Sequence, residues 1–223
     1  MSTVLKLKNI TKEFIEPRKN IVALNNINFD LSDGQCICLL GPSGSGKTTL
    51  LQIAGLLDSP TKGEIIINGK KCDHLSQEDK NFIRKQHIGF VYQNFYLLDS
   101  FSALENVIIP QLINGSGFDN ARKRAKNLLS DLGLSKRLYN KPRELSGGEK
   151  QRVSILRAIA NRPKIILADE PTGNLDKKNS ENVVKIIKDM VNHYNISFII
   201  ATHNLSITKK FDKIVKISEG KII

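Results

Sequence analysis

Gly41-Pro42-Ser43-Gly44-Ser45-Gly46-Lys47-Thr48 meets the spacing G-x-x-x-x-G-K-[ST] in full. Its glycines leave the backbone free to curl, so that several N–H groups can converge on one anion. The apolar run Thr49-Leu50-Leu51-Gln52-Ile53-Ala54 behind it reads as the start of a helix, whose N-terminus adds partial positive charge. The chemistry such a loop performs is phosphate binding. Lys47 is placed to reach β- and γ-phosphates, and the Thr48 hydroxyl to ligate Mg²⁺. An ordinary Gly-rich turn before a helix is the bland alternative. The strand-like Cys36-Ile37-Cys38-Leu39-Leu40 just before the motif argues against it.

Two further stretches carry chemistry. Ile165-Ile166-Leu167-Ala168 is apolar without alternation, as a strand covered on both faces is, and it ends on Asp169-Glu170. Parallel sheets place ligands beyond the carboxyl ends of their strands. Asp169 would hold the metal, directly or through water, and Glu170 would accept a proton from an attacking water. Alone, such a pair is usually a loop start or a helix cap; the phosphate loop in the same chain changes that reading. Leu145-Ser146-Gly147-Gly148-Glu149 contains a capping box, S-x-x-E, which is a purely structural device. Two glycines at a helix start cost helix stability, about 1 kcal/mol each in an interior and less at an end. Side-chain-free N–H groups there suit the close approach of a phosphate, so the segment reads as a second anion site built on a cap.

The elements that must position these groups alternate. Residues 3–9 and 22–31 read as strands, with a loop from Ile15 to Asn20 around Pro17, and Ser32-Asp33-Gly34 as a turn before a strand at 35–40. Ser59-Pro60-Thr61-Lys62-Gly63 breaks the helix after the phosphate loop. Glu64–Asn68 is a strand, closed by the hairpin signal Asn68-Gly69. Ile88–Gln93 is another strand. From about Leu97 to Ala160 the pattern is helical, most clearly where Ala121, Ala125, Leu128, Leu129 and Leu132 share a face. A helix over about 177–193 precedes a strand at 197–201, and two short strands flank Glu219-Gly220 at the end. Strand, helix and strand around a parallel core, with a helical insert, is an α/β arrangement.

Composition narrows the classes. A chain of 223 residues, 40% hydrophobic and 25% charged, suits one globular domain with a real core. No apolar run approaches a membrane span, and the N-terminus has no signal-peptide pattern, so a cytoplasmic protein is the default expectation. Cys36, Cys38 and Cys72 read as buried reduced thiols rather than a metal site or disulfide. The net charge of +12 is uneven: residues 120–152 hold ten basic and three acidic side chains. A solvated basic face, a nucleic-acid surface and contact with an anionic leaflet all remain open from composition.

Taken in order, Gly41–Thr48, Gln93, Leu145–Glu149, Asp169-Glu170, Asn174-Leu175-Asp176 and His203 resemble the ATPase domain of ABC transporters over essentially the whole chain. The Leu-Ser-Gly-Gly-Glu motif is specific to that family among phosphate-loop proteins. The resemblance implies an α/β phosphate-loop NTPase of ABC type: a mixed or parallel sheet core, an antiparallel β subdomain and an inserted helical subdomain. One domain spans 1–223, with a RecA-like core at about 1–96 and 161–223 and the helical subdomain at about 97–160. It implies ATP and Mg²⁺ as ligands. Gly41, Pro42, Ser43, Gly44, Ser45, Gly46, Lys47, Thr48 and Thr49 would hold the phosphates. Thr48, Gln93 and Asp169 would serve the metal, with Gln93 also touching the water and sensing a partner subunit. Glu170, His203, Lys47 and Gln93 would carry hydrolysis, His203 through the γ-phosphate. Phe14 would stack on adenine where the family more often has Tyr, with core packing as the alternative. Ser146, Gly147, Gly148 and Glu149 would act on the ATP of a second copy, with Asp176 at the interface. Asn204 stands where the family usually has Asp, which touches a local contact rather than the role of His203.

Ala168–Asp176 resembles the subgroup serving lipoprotein release, macrolide-type efflux and cell division. Gly89–Leu98 and Ser102–Val107 are most similar to the lipoprotein-releasing ATPases. The implied partners are separate integral membrane subunits and a second copy held by ATP. The implied place is the cytoplasmic side of the bacterial inner membrane, with the anionic leaflet facing the basic segment. The alternatives are efflux or a regulatory role in division. A nucleic-acid ATPase of this family would bring two ATPase domains or a long coiled-coil insert, and neither is present.

Overall fold

Apolar–polar alternation at the N-terminus builds a long hairpin. The strand β1 spans Thr3–Ile15 and pairs antiparallel with β2, Asn20–Ser32. It outruns the expected residues 3–9 because the pattern breaks without the strand ending: Asn9 takes φ 51° and the register shifts between Leu7 and Ile10. The computed structural model describes residues 2–15, 20–208 and 210–223. The ends of the tract read as a loop, Ile15 and Asn20, are strand residues, and its middle around Pro17 lies outside the described residues.

Next come β3 (Cys36–Leu40), α1 (Lys47–Ala54), β4 (Lys62–Ile67) and β5 (Lys70–Lys71). Asn68 and Gly69, at φ 48° and 79°, make the expected tight turn between β4 and β5. A four-stranded antiparallel sheet results, in the order β2-β1-β4-β5. The helix α2 (Gln77–His87) was not legible as a pattern; only Lys80 and Ile83 of it are buried, so its face is too narrow to read. Then follow β6 (Ile88–Tyr92), α3 (Ala103–Ile113), α4 (Phe118–Asp131), α5 (Gly147–Ile159), β7 (Ile165–Asp169), α6 (Lys177–Tyr194), β8 (Ser197–Thr202), α7 (Leu205–Thr208), β9 (Lys213–Ser218) and β10 (Lys221–Ile222). They complete a six-stranded sheet ordered β10-β9-β3-β8-β7-β6, parallel except for β10 at its edge.

Apolar side chains lie on both faces of this sheet. One cluster joins it to α1 and the antiparallel sheet. The other joins it to α3, α4, α5 and α6. Burial on two sides explains why β7 and β8 are apolar without alternation. The register then fixes the site. Leu40 lies opposite Thr202, and Asp169 opposite Ala201, so β3, β7 and β8 end together. All three cysteines are free and buried, and burial pushes the Cys36 and Cys38 thiols up, Cys38 to about 12.

One residue of the basic segment is structural. Arg124 on α4 donates from Nε to the Ala160 carbonyl (2.8 Å) and from Nη2 to that of Ile159 (3.4 Å). It satisfies the Ala160 carbonyl at the end of α5 and shares that of Ile159 with the Arg162 amide. Arg122 and Lys123 are exposed on the same helix and Lys126 is half-buried.

Candidate functional site

The phosphate loop bridges β3 and α1. Gly46 sits at φ 103° as the residue before the helix, a conformation that costs a side-chain-bearing residue dearly. Lys47 is 7% exposed, and its Nζ donates to the carbonyls of Gly41 (2.8 Å) and Pro42 (2.9 Å). The loop thus folds around the ammonium group. The Ser45 hydroxyl is buried in the same loop without a partner among the described residues. Ser43, Gly44, Lys47, Thr48, Asp169 and Glu170 line a cleft of about 390 Å³. Ile21 and Val22 of β2 form its apolar wall.

Thr48 Oγ1 donates to Asp169 Oδ2 at 2.8 Å, joining α1 to the end of β7. Burial first, and then the charge of Glu170, push the Asp169 carboxyl above its ordinary range; the Thr48 hydrogen bond and Lys47 pull the other way. Glu170 follows with φ 46°, a left-handed conformation uncommon for a residue with a side chain. Its amide bonds the Ala201 carbonyl at 2.9 Å, which turns the chain at the strand end. Both carboxylate oxygens are engaged. Thr202 Oγ1 donates to Oε2 (3.0 Å); the His203 amide (3.0 Å) and Nδ1 (2.6 Å) meet Oε1. An ionised carboxylate only accepts, so Nδ1 is the donor in this pair. Glu170 and His203 also border a larger adjoining cleft of about 830 Å³, with Thr172, Leu175 and Ser180.

Other expected residues stand apart from this centre. Gln93 donates from Nε2 to Asn174 Oδ1 (3.1 Å) instead of bonding Thr48 or Asp169. Phe14 lies beside the cleft, opposite Ile21 in the hairpin, with Lys12 Nζ 5.0 Å from its ring centre. Ser146 caps α5: its hydroxyl accepts from the Glu149 amide, and Glu149 accepts from the Ser146 amide, 3.3 and 2.8 Å. Glu149 also takes Arg137 Nε at 2.9 Å, and these bonds, the Ser146 amide foremost, hold its carboxyl below the usual range. Asp176 caps α6, accepting from the Asn179 amide (2.8 Å) and Nδ2 (2.7 Å). A Cβ on Gly148 would sit 2.5 Å from Asn179 Oδ1, so the glycine of one cap touches the residue that completes the other. Neither Ser146–Glu149 nor Asp176 lines the phosphate cleft of its own chain.

A family model described as ABC transporter matches residues 24–173. The chain is 46% identical, over 98% of its length and 97% of the relative, to "Lipoprotein-releasing system ATP-binding protein LolD 1" of Rhodospirillum rubrum. It is 47% identical to the protein named LolD from Rickettsia conorii, over 97% and 96% of the two chains. Among solved structures, a dimeric ATP-binding cassette in a post-hydrolysis state with ADP and Pi superposes with TM-score 0.90. That cassette is 38% identical, over 98% of this chain and 96% of that one.

The chain belongs to the ABC transporter family.

As such it is an ABC-type phosphate-loop ATPase, and its activity is ATP hydrolysis coupled to transport. Among the described residues, no helix is long and apolar enough to cross a membrane. Thr202, Asn174 and Asn179 went unmarked as individual contributors in the sequence. Only the adjacency of Thr202 to His203 at a strand end signalled the first. Asn174 stood in the sequence only as part of Asn174-Leu175-Asp176, with its partner Gln93 81 positions away, and the approach of Asn179 to Gly148 joins separate segments.

Proposed function

We propose that this chain is the ATP-hydrolysing motor subunit of a membrane transporter that releases lipoproteins from the bacterial inner membrane. The observation that carries the ATPase site is the meeting of two bonded pairs, Thr48–Asp169 and Glu170–His203, beside the phosphate loop. The lipoprotein reading rests on the names of relatives at 46–47% identity over nearly full length.

In this proposal the loop amides of Gly41–Thr49 bind the β- and γ-phosphates, and Lys47 exchanges its two carbonyls for them. The donor set fits a triphosphate: a buried unpartnered hydroxyl on Ser45, a sequestered ammonium and a helix N-terminus face one cleft. Thr48 Oγ1 and Asp169, the latter directly or through water, would hold Mg²⁺, with Gln93 reaching the pair when nucleotide is bound. When bound, the ion would neutralise charge on the phosphate oxygens. Glu170 orients a water against the γ-phosphorus and takes its proton as the new P–O bond forms and the bridging P–O bond breaks. Thr202 and His203 fix its carboxylate. His203, held by Glu170 through Nδ1, contacts the γ-phosphate through its other ring nitrogen. Phe14 stacks on adenine next to the Ile21 wall.

Ser146, Gly147, Gly148 and Glu149 serve the ATP of a second copy, with Asp176 at the junction. Their position outside their own cleft supports this. ATP then holds a homodimer together and hydrolysis releases it. The helical insert at about 97–160 and the core at 1–96 and 161–223 form the single ATPase domain that docks on integral membrane subunits. It sits at the cytoplasmic side of the inner membrane, where Arg122, Lys123 and Lys126 face the anionic leaflet. No nucleic-acid partner is expected.

Glu170→Gln is expected to keep ATP binding, lose at least about 100-fold in turnover, and elute as an ATP-dependent dimer on size-exclusion chromatography. Near-normal turnover would remove Glu170 from this role. For the cargo, the tagged chain is extracted gently from its host. Co-purification of membrane proteins with large periplasmic domains together with lipoprotein supports release. A single division-machinery partner or an efflux subunit moves the chain to the alternative reading, with the ATP chemistry unchanged.

A further inference from the structure

Gln93 is held by a seat. Its Nε2 donates to Asn174 Oδ1 (3.1 Å), and Asn174 Nδ2 donates back to the Gln93 carbonyl (3.1 Å) and to Asn94 Oδ1 (3.2 Å). The Gln93 side chain lies across Gly173: a Cβ there would fall 2.8 Å from Nε2 and 2.9 Å from Cδ. Gly173 itself closes the turn after Glu170, its amide bonding the Glu170 carbonyl at 3.0 Å. The backbone beyond Gln93 is fixed from elsewhere. Arg157 on α5 donates to the carbonyls of Phe95, at 2.8 Å, and Tyr96. Any exchange at this point is therefore a movement of the Gln93 side chain.

The target of that movement is near. Tyr92, the residue before Gln93, lies opposite Asp169 in the parallel ladder of β6 and β7. We propose that Asn174, together with the bare backbone of Gly173, is a positioning residue that keeps Gln93 turned from the Thr48–Asp169 pair until metal-bound nucleotide draws it across. The seat belongs to the turn that follows Glu170, so freeing Gln93 reports occupancy of the metal pair to the segment that leads into Asp176 and α6. The inference rests on the reading of Gln93 as a residue that reaches the metal pair.

The test is the affinity of the full chain for a non-hydrolysable ATP analogue, with Mg²⁺ and with chelator, in wild type, Asn174→Ala, Gly173→Ala, Gln93→Ala and Asn174→Ala/Gln93→Ala. Asn174→Ala breaks the amide bonds, and Gly173→Ala expels the side chain sterically. Both are expected to tighten binding about fivefold in Mg²⁺ and to leave binding in chelator unchanged. In the Gln93→Ala background, Asn174→Ala is expected to have no effect. Asn174→Asp keeps the acceptor for Nε2 and loses the donor, so it falls between. A merely structural Asn174 would lower the melting temperature and weaken binding with and without metal alike. If Gln93→Ala loses Mg²⁺-dependent affinity while Asn174→Ala and Gly173→Ala gain none, the seat is wrong and the role of Gln93 stands. If Gln93→Ala keeps the wild-type Mg²⁺ dependence, both fall.

Discussion

Asp169 is held ionised at a cost. Burial disfavours its charge, and the neighbouring carboxylate of Glu170 adds to this. A folded carboxyl with a raised pKa binds protons that the unfolded chain does not, so stability declines as pH rises from the unfolded value through the folded one. Above the folded value the whole penalty is in force. Asp169→Asn removes it while leaving an oxygen for Thr48. We expect the nucleotide-free variant to melt above wild type near neutral pH, the two curves converging as pH falls through the raised pKa. Turnover in the variant is expected to drop at least about 100-fold through loss of the proposed metal ligand. A variant that melts below wild type at every pH would show the penalty to be absent. Lys47 and Thr48 were readable because their motif is contiguous. Thr202 was not, since it lies 32 positions from Glu170 and meets it only when β8 packs beside β7.

At the level of elements, close approach matters more than propensity. On β6, a Cβ at Gly89 would stand 2.4 Å from the Ala158 carbonyl of α5. Gly89→Ala must push that helix from the sheet, at about 2 kcal/mol, seen as a melting temperature lower by roughly 4–8 °C. An unchanged melting curve would mean that α5 has room to shift. The cap of α5 was legible as S-x-x-E, because a capping box is local. The basic face of α4 was legible only as charge. Its four cations divide once Arg124 is seen to bond the end of α5. Arg122, Lys123 and Lys126 changed together to Glu are expected to keep the fold and to weaken assembly with membrane subunits in anionic vesicles, but not in neutral ones. Equal assembly on both would leave these side chains as a solvated face.

For the molecule as a whole, nucleotide binding is also stability. ATP at 100 times its dissociation constant adds about 2.7 kcal/mol, which for a chain of this size raises the melting temperature by roughly 5–10 °C. Lys47→Ala is expected to abolish that rise and leave the nucleotide-free melting point nearly unchanged, because among the described residues its ammonium bonds two carbonyls of its own loop. Retention of the full rise would sink the phosphate-loop assignment. The two clefts have a like consequence. Glu170 lines both the phosphate cleft and the larger one, and its partner His203 lines the larger, so a second copy that covers the larger cleft would touch the proposed catalytic pair directly.

The sequence by itself determined the phosphate loop, the strand ending in two carboxylates, the capped glycine pair and most of the succession of strands and helices, α2 excepted. These are local: each depends on neighbouring residues whose spacing states the backbone they need. Only the tertiary structure decided that β3, β7 and β8 end in register, that Thr202 and His203 hold Glu170, that Arg124 is a cap rather than a free charge, and that Gln93 rests on Asn174. The side-chain contacts among these join residues 32 to 81 positions apart. No periodicity records such pairs, because what brings them together is the burial of apolar surface on both faces of one sheet.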